Sequence, residues 1–484
     1  MNVFYFSLSL FQKYNKKEII LNNIISISAR KIYLLLFTII FFTSVIIPQE
    51  NNNYISVVKD FVRTALTEQE GYEWLRELCE IGPRLSGSEN SYKAIEWAEK
   101  KMKALGFDVW LQPVMVQHWV RGEKENAVIV ESEFFKGKNL EILALGRSVG
   151  TEAEGITAEV IEIKNFDELK ERKDEVKGKI VFYSTGIDPG EINTFLGYDN
   201  GVRFRSRGAL EAAKYGAVGV LIRSLTTKYD NVPHTGSMTY YVDSLPKIPA
   251  AALGYTDADF LSDALKKDPH LKINMKLNCK NLPDTLSYNV IADIKGSEKP
   301  DEIIIVSGHF DSWDAGDGAH DDGGGCMQAL EVLNLIKKLN LKPKRTIRCI
   351  FYINEENGVR GGQEYGVYTD TTKEKHIAAI ESDRGVFTPV GFSVNSEPEV
   401  LEKIQSWLPV LEHAGIEWVK AGGSGVDISY IKNAQALIGF IPDDQRYFDL
   451  HHSANDVFEE VNPREMELGA AAMAALAYLL SEDF

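Results

Sequence analysis

The chain has 484 residues, 44% of them hydrophobic and 25% charged, the make-up of a globular protein long enough for two folded units plus a targeting segment. Its formal net charge is −17, and because residues 1–48 hold five basic residues and one acid, the remainder carries 48 basic against 69 acidic residues. So acidic a body repels phosphate backbones and argues against nucleic acid as a partner.

Residues 1–48 lead from a polar, basic stretch ending in Arg30-Lys31 into an apolar run, 32–47, that Pro48 stops. This is the pattern of an export signal, and it predicts a periplasmic or extracellular protein. The run falls short of the roughly 20 residues that span a bilayer, so a retained N-terminal anchor, with membrane contact through it alone, is the alternative. Residues 54–105 have helical spacing and predict two helices broken at 81–88, a loop rich in turn formers. Arg84 in that loop either serves a substrate carboxylate or caps a helix. Residues 107–117 then read as a strand.

Residues 120–283 have their own rhythm of short strands, with a helix end, a glycine stop and a buried strand over 211–222. Titratable residues do not cluster there at metal-like spacing, so this segment reads as a separate, non-catalytic module inserted between 54–119 and 284–484. After Pro283, strands at 288–294, 302–307, 346–353, 377–381 and 436–441 alternate with helices at 324–339, 397–414 and 463–480. The expected fold class is therefore α/β, a mixed but mostly parallel sheet sandwiched by helices. Cys79, Cys279, Cys326 and Cys349 are scattered without C-x-x-C spacing and read as buried free thiols.

Four of these strands end in metal-type residues: His309 and Asp311, then Glu355 and Glu356, then Glu381 and Asp383, and finally Asp449, His451 and His452. Open sheets of this kind hold ligands beyond the carboxyl ends of their strands, and imidazole and carboxylate are donors that Zn²⁺ prefers. Carboxylates and histidines gathered there suit two divalent ions, with Asp321 in a glycine-rich loop as the natural bridge. Two such ions about 3.5–4 Å apart activate a shared water at neutral pH. On an extended segment neighbouring side chains point opposite ways, so one of Glu355 and Glu356 binds metal while the other faces the water as general base. By the same rule His451 and His452 do not both bind one ion.

The set Gly308-His309-Phe310-Asp311, Gly318-Ala319-His320-Asp321-Asp322-Gly323, Glu355-Glu356, Glu381-Ser382-Asp383 and His452 to Asp456 resembles the M28 family of co-catalytic zinc peptidases, and within it the carboxypeptidase Q branch. The resemblance extends from about Tyr54 to the C-terminus. It implies two Zn²⁺ per chain, one held by His309 and Asp383, the other by Glu356 and His452, with Asp321 bridging, Glu355 as base and Asp311 orienting His309. It also implies a cis peptide after Asp321, a protease-associated domain in the 120–283 insert, a dipeptide or short-peptide substrate, and the homodimeric assembly known in the family. The activity it implies is that of a carboxypeptidase or dipeptidase, with an aminopeptidase as the nearest alternative and a non-catalytic binding ectodomain as a third. Many relatives carry a tyrosine just before the last histidine ligand; this chain has His451, which leaves His451, Tyr447 or the ions themselves as oxyanion stabiliser.

Overall fold

The computed structural model describes residues 49–123, 125–240 and 244–484; the candidate signal or anchor segment, 1–48, lies outside them. Three helices open the described chain: α1 (Gln49–Glu68), α2 (Glu70–Ile81) and α3 (Glu89–Ala104). The two predicted helices are thus three. The extra break falls at Gln69, whose left-handed backbone (φ 52°) interrupts the helix where no glycine or proline marks it. At α3 the Ser88 hydroxyl accepts from the Ser91 N–H, an N-cap that ends the loop containing Arg84.

Strand β1 (Asp108–Val120) leads into eight strands of a second sheet: β2 (Asn126–Glu131), β3 (Asn139–Leu140), β4 (Ile142–Ala144), β5 (Ile156–Ile163), β6 (Ile180–Tyr183), β7 (Gly219–Arg223), β8 (Ala250–Leu253) and β9 (Lys272–Lys276). One of these, β9, lies between β2 and β5, and the order across the sheet is β3-β2-β9-β5-β6-β7-β8-β4, none of whose eight members pairs with the main sheet. Between β6 and β7 runs helix α4 (Thr194–Ala213), which delivers residues to the site described below. All eight strands lie inside the predicted insert, while β10 (Lys280–Ile294) already belongs to the ribbon that pairs antiparallel with β1.

The main sheet has the order β1-β10-β12-β11-β13-β16-β14-β15, with β11 (Lys299–His309), β12 (Arg345–Tyr352), β13 (Lys375–Glu381), β14 (Pro389–Ser396), β15 (Trp418–Ala421) and β16 (Ala436–Pro442). Its centre, β12-β11-β13-β16, is parallel. Ile303, Ile304, Ile305 and Val306 are all completely buried, as expected of a strand covered on both faces. Ile303 and Ile305 pack with Tyr365 of helix α6 (Arg360–Thr371), whereas helices α5 (Gly324–Lys338) and α7 (Pro463–Asp483) pack on β11 and β12.

The predicted strands and the helices beginning at 324 and 463 are present. The single helix expected over 397–414 is instead Pro398–Gln405, a turn at Leu408–Leu411 and a 3₁₀ segment, because Pro409 has no N–H to donate to the Gln405 carbonyl and its ring would crowd that carbonyl in a continuous helix. Helix α6, whose residues include Gly361, Gly362 and Gly366, and strands β14 and β15 at one side of the sheet are not among the elements expected from the sequence. The four cysteines are buried free thiols.

Candidate metal centre

The register of the parallel strands gathers the ligands. His309, the last residue of β11, lies opposite Tyr352, the last of β12, and Ser307 lies opposite Glu381, the last of β13. The segments that follow these ends carry Glu355, Glu356 and Asp383 into one cavity of about 430 Å³, with His451 and His452 arriving after β16. His309 Nε2 lies 3.2 Å from Asp321 Oδ1 and 3.4 Å from Asp383 Oδ1. On the other side, His452 Nε2 lies 3.3 Å from Asp321 Oδ2 and 3.0 Å from Glu356 Oε2. One carboxylate therefore turns one oxygen to each of two donor groups.

Asp321 is held by its loop rather than by its neighbours alone. Asp456 accepts from the His320 N–H (2.8 Å) and the Asp321 N–H (3.0 Å), fixing the backbone that carries the carboxylate. The Asp321–Asp322 peptide is cis. Asp322 accepts from the His309 N–H at 2.9 Å and so ties the loop to the end of β11. Gly325 follows in α5, where a Cβ would lie 2.3 Å from an Asp322 oxygen, which explains why the glycine-rich sequence is needed there.

Arg84 neither faces substrate nor caps a helix. It is fully buried and donates to three carbonyls of this loop: Nε to Phe310 (2.7 Å), Nη1 to Asp317 (2.5 Å) and Nη2 to Gly318 (2.8 Å). Asp311 also works differently from the expectation that its carboxylate orients His309. The His309 Nδ1 contact at 3.0 Å is to the Asp311 backbone carbonyl, and the carboxylate is 4.0 Å away. That carboxylate instead accepts from Ser86 Oγ (2.8 Å) and from the Glu355 N–H (3.0 Å), so it positions the segment bearing the two glutamates.

Neither the glutamate pair nor the histidine pair lies on the extended segment expected of it. Glu355 begins a single helical turn, Glu355–Gly358, after Asn354 in the left-handed region (φ 71°), so the two glutamates diverge as helical neighbours rather than as alternating strand residues. His451 and His452 point the same way: their rings stack with centroids 3.5 Å apart. The cause is the backbone, which turns at His451 (φ −39°, ψ 123°) and is left-handed at His452 (φ 61°). His451 Nε2 is 3.9 Å from Asp321 Oδ2, farther than that of His452. His320, next to the bridge, is committed elsewhere, stacked on Phe387 with Nδ1 facing the Val386 N–H.

Electrostatically the centre is short of positive charge. Burial pushes Glu355 up to about 8 and Glu356 well above the carboxylate range, each aggravated by the other acids nearby. Burial also opposes ionisation of Asp321, but the hydrogen bond with His309 holds it low. Burial brings His451 down to about 3 and also holds His452 well below the ordinary imidazole value, leaving neutral imidazoles, the form that binds metal. Asp321 Oδ2 and Glu356 Oε1 are buried without a hydrogen-bond partner. Neutral imidazoles and unpartnered buried carboxylate oxygens converging on one point fit a divalent cation such as zinc.

The insert closes the far side. Thr235 N–H donates to the His452 carbonyl (2.9 Å), and His234 Nδ1 lies 2.6 Å from the His451 carbonyl. His234 supplies no donor to the metal groups; it fastens the backbone of the histidine pair.

A parallel sheet with histidine and carboxylate donors at its carboxyl ends, sharing one buried carboxylate, defines a metallohydrolase. The family model of Peptidase family M28 matches residues 289–477. Carboxypeptidase Q of Bos taurus is 36% identical over 442 residues, 90% of this chain and 91% of that protein. Carboxypeptidase Q of Homo sapiens is 38% identical over 418 residues, 86% of each. Among solved structures, a peptidase M28 precursor from Shewanella amazonensis SB2B is similar with a TM-score of 0.84 and 34% identity, covering 89% of this chain and 97% of that one. A zinc aminopeptidase from Bacillus subtilis shares the fold, with a TM-score of 0.60 and 20% identity over 84% of this chain and 94% of that one. The chain belongs to peptidase family M28 and is a zinc-dependent metallopeptidase acting on peptides.

Proposed function

We propose that the protein is a di-zinc exopeptidase that hydrolyses dipeptides or short peptides as a carboxypeptidase or dipeptidase. The observation that carries this reading is the division of Asp321, with Oδ1 toward His309 and Asp383 and Oδ2 toward His452 and Glu356. In that reading His309 and Asp383 would hold one ion and Glu356 and His452 the other, with Asp321 offering a carboxylate oxygen to each pair. Bound zinc supplies Lewis acidity and lowers the pKa of a coordinated water.

Glu355 lines the cavity without entering either donor group, which leaves its carboxylate free to take a proton from the attacking water and pass it to the leaving amine nitrogen. Asp311 acts as a positioning residue, since its carboxylate holds the Glu355 backbone N–H. His451, neutral and lining the cavity, donates to the oxygen that becomes negative as the carbonyl is attacked. Substrate preference is inferred from the carboxypeptidase Q relatives, which match most of the chain. We also assign residues 120–283 as a protease-associated insert within a discontinuous catalytic domain (54–119 and 284–484), and 1–48 as an export signal.

The test is zinc stoichiometry together with hydrolysis of a panel of free and N-blocked dipeptides and aminoacyl arylamides. Two zinc ions and cleavage of free-acid dipeptides support the reading. Cleavage confined to arylamides makes the enzyme an aminopeptidase, and metal binding without hydrolysis makes it a binding protein.

A further inference from the structure

The cavity has a second wall whose charge the chain leaves unbalanced. Arg147, Tyr198, Arg205 and Ser237, all from the insert, line the same space as Asp321, Glu355, Glu356 and Asp383. Arg205, on α4, is 9% exposed, and its guanidinium sits over the Tyr198 ring at 5.4 Å. Its Nη1 lies 3.3 Å from His452 Nδ1. That same Nδ1 lies 3.3 Å from the Thr235 carbonyl oxygen. With Nε2 turned toward Asp321 and Glu356 as the metal donor of the proposed centre, Nδ1 carries the proton, which the Thr235 carbonyl accepts, and it cannot accept one from Arg205. The contact with His452 therefore satisfies nothing on the guanidinium, and Nε is buried with no partner. Among the described residues, neither Arg205 nor Arg147 forms an ion pair with a carboxylate.

A buried guanidinium without a counter-charge is costly and is retained where a ligand supplies the missing anion. Four carboxylates line the metal side of the cavity, and two dications would cancel them, leaving the two arginines as the charge to be met. Their planar forks match a carboxylate, and a cavity of about 430 Å³ has the size of a small-ligand site. We propose that Arg205 and Arg147 receive the free α-carboxylate of the substrate, so that the insert supplies no metal ligand but selects peptides by their C-terminal end. This rests on the exopeptidase reading above and names the residues that would make it a carboxypeptidase or dipeptidase.

The experiment uses the zinc-loaded full chain and its Arg205→Gln, Arg147→Gln and Arg205→Lys variants. Each is assayed on one dipeptide as the free acid and as the C-terminal amide, with zinc content measured in parallel. Binding of a reduced-bond (CH₂–NH) dipeptide, acid and amide, is followed by calorimetry. The parent enzyme should favour the acid. Arg205→Gln should raise KM and Kd for the acid by about 10–100-fold, the value of a charge-assisted hydrogen bond, and leave the amide and the zinc content little changed. Arg147→Gln, at a half-buried position, should act in the same direction, and Arg205→Lys should recover part of the preference. Variants that keep the parent's acid preference with zinc intact overturn the proposal, as does an Arg205→Gln that loses zinc and both substrates together, which would make Arg205 a support for His452. A parent enzyme that cleaves acid and amide equally, or only arylamides, refutes the carboxypeptidase reading itself.

Discussion

Replacing Arg84 by methionine removes the cation that holds the bridging loop while keeping much of the packed volume. Three hydrogen bonds are lost, to the Phe310, Asp317 and Gly318 carbonyls, at a position with no exposed surface. Carbonyls left dry cost about 1–3 kcal/mol each. Because the variant no longer has to bury a guanidinium, the net loss is expected near the bottom of the summed range, about 3–5 kcal/mol, a large part of a domain's stability. Urea denaturation in the presence of chelator, where zinc does not contribute, should show a lower midpoint with an unchanged slope. Zinc affinity should also fall, since the loop between Asp317 and Asp322 carries the bridge. Unaltered stability with a raised KM for peptide substrates would refute this reasoning and place Arg84 in the substrate pocket.

Glu355→Gln should keep both ions and lower turnover by about 10²–10⁴-fold; metal analysis alongside kinetics checks it. Asp321→Asn should lower zinc stoichiometry and activity together, and chelation of the parent enzyme should mimic it. His452→Ala should lose zinc, whereas His451→Ala should keep it and lose about 10²–10³-fold in turnover; the reverse pattern in metal content would exchange their roles. Glu467 on α7 is fully buried, and burial pushes its carboxyl up from 4.5 to about 7 against the hydrogen bond accepted from the Tyr72 N–H. Between those values the folded chain holds a proton that the unfolded chain releases, so stability falls as pH rises through that window, by about 3 kcal/mol in all. Denaturation midpoints should place Glu467→Gln above the parent at pH 8 and level with it at pH 4.

The central strands could be read from the amino-acid sequence because a strand covered on both faces must be apolar at every position, and 303–306 and 377–380 meet that condition. Ligands at their ends could be read for the same reason, since charged groups cannot enter such a strand and collect where it stops. Strands β14 and β15 alternate and mix with turn residues, and α6 contains three glycines within six positions, so neither gives a clear period. The break at Gln69 and the parallel histidines depend on left-handed residues that carry no local signature. Arg84 and Arg205 are told apart only by tertiary neighbours: one finds three carbonyls, the other faces a cavity. A residue's type gives its chemistry, and its surroundings decide whether that chemistry is used up internally.

The two bonds from His234 and Thr235 to the backbone of His451 and His452 make the insert a fastener for the centre. Partial opening of the insert, an event well below global unfolding in free energy, therefore unties the segment that carries the last histidines. Protease nicking near 234–235 and release of metal should then share one rate-limiting step, and zinc should shield a stretch of chain that never touches it.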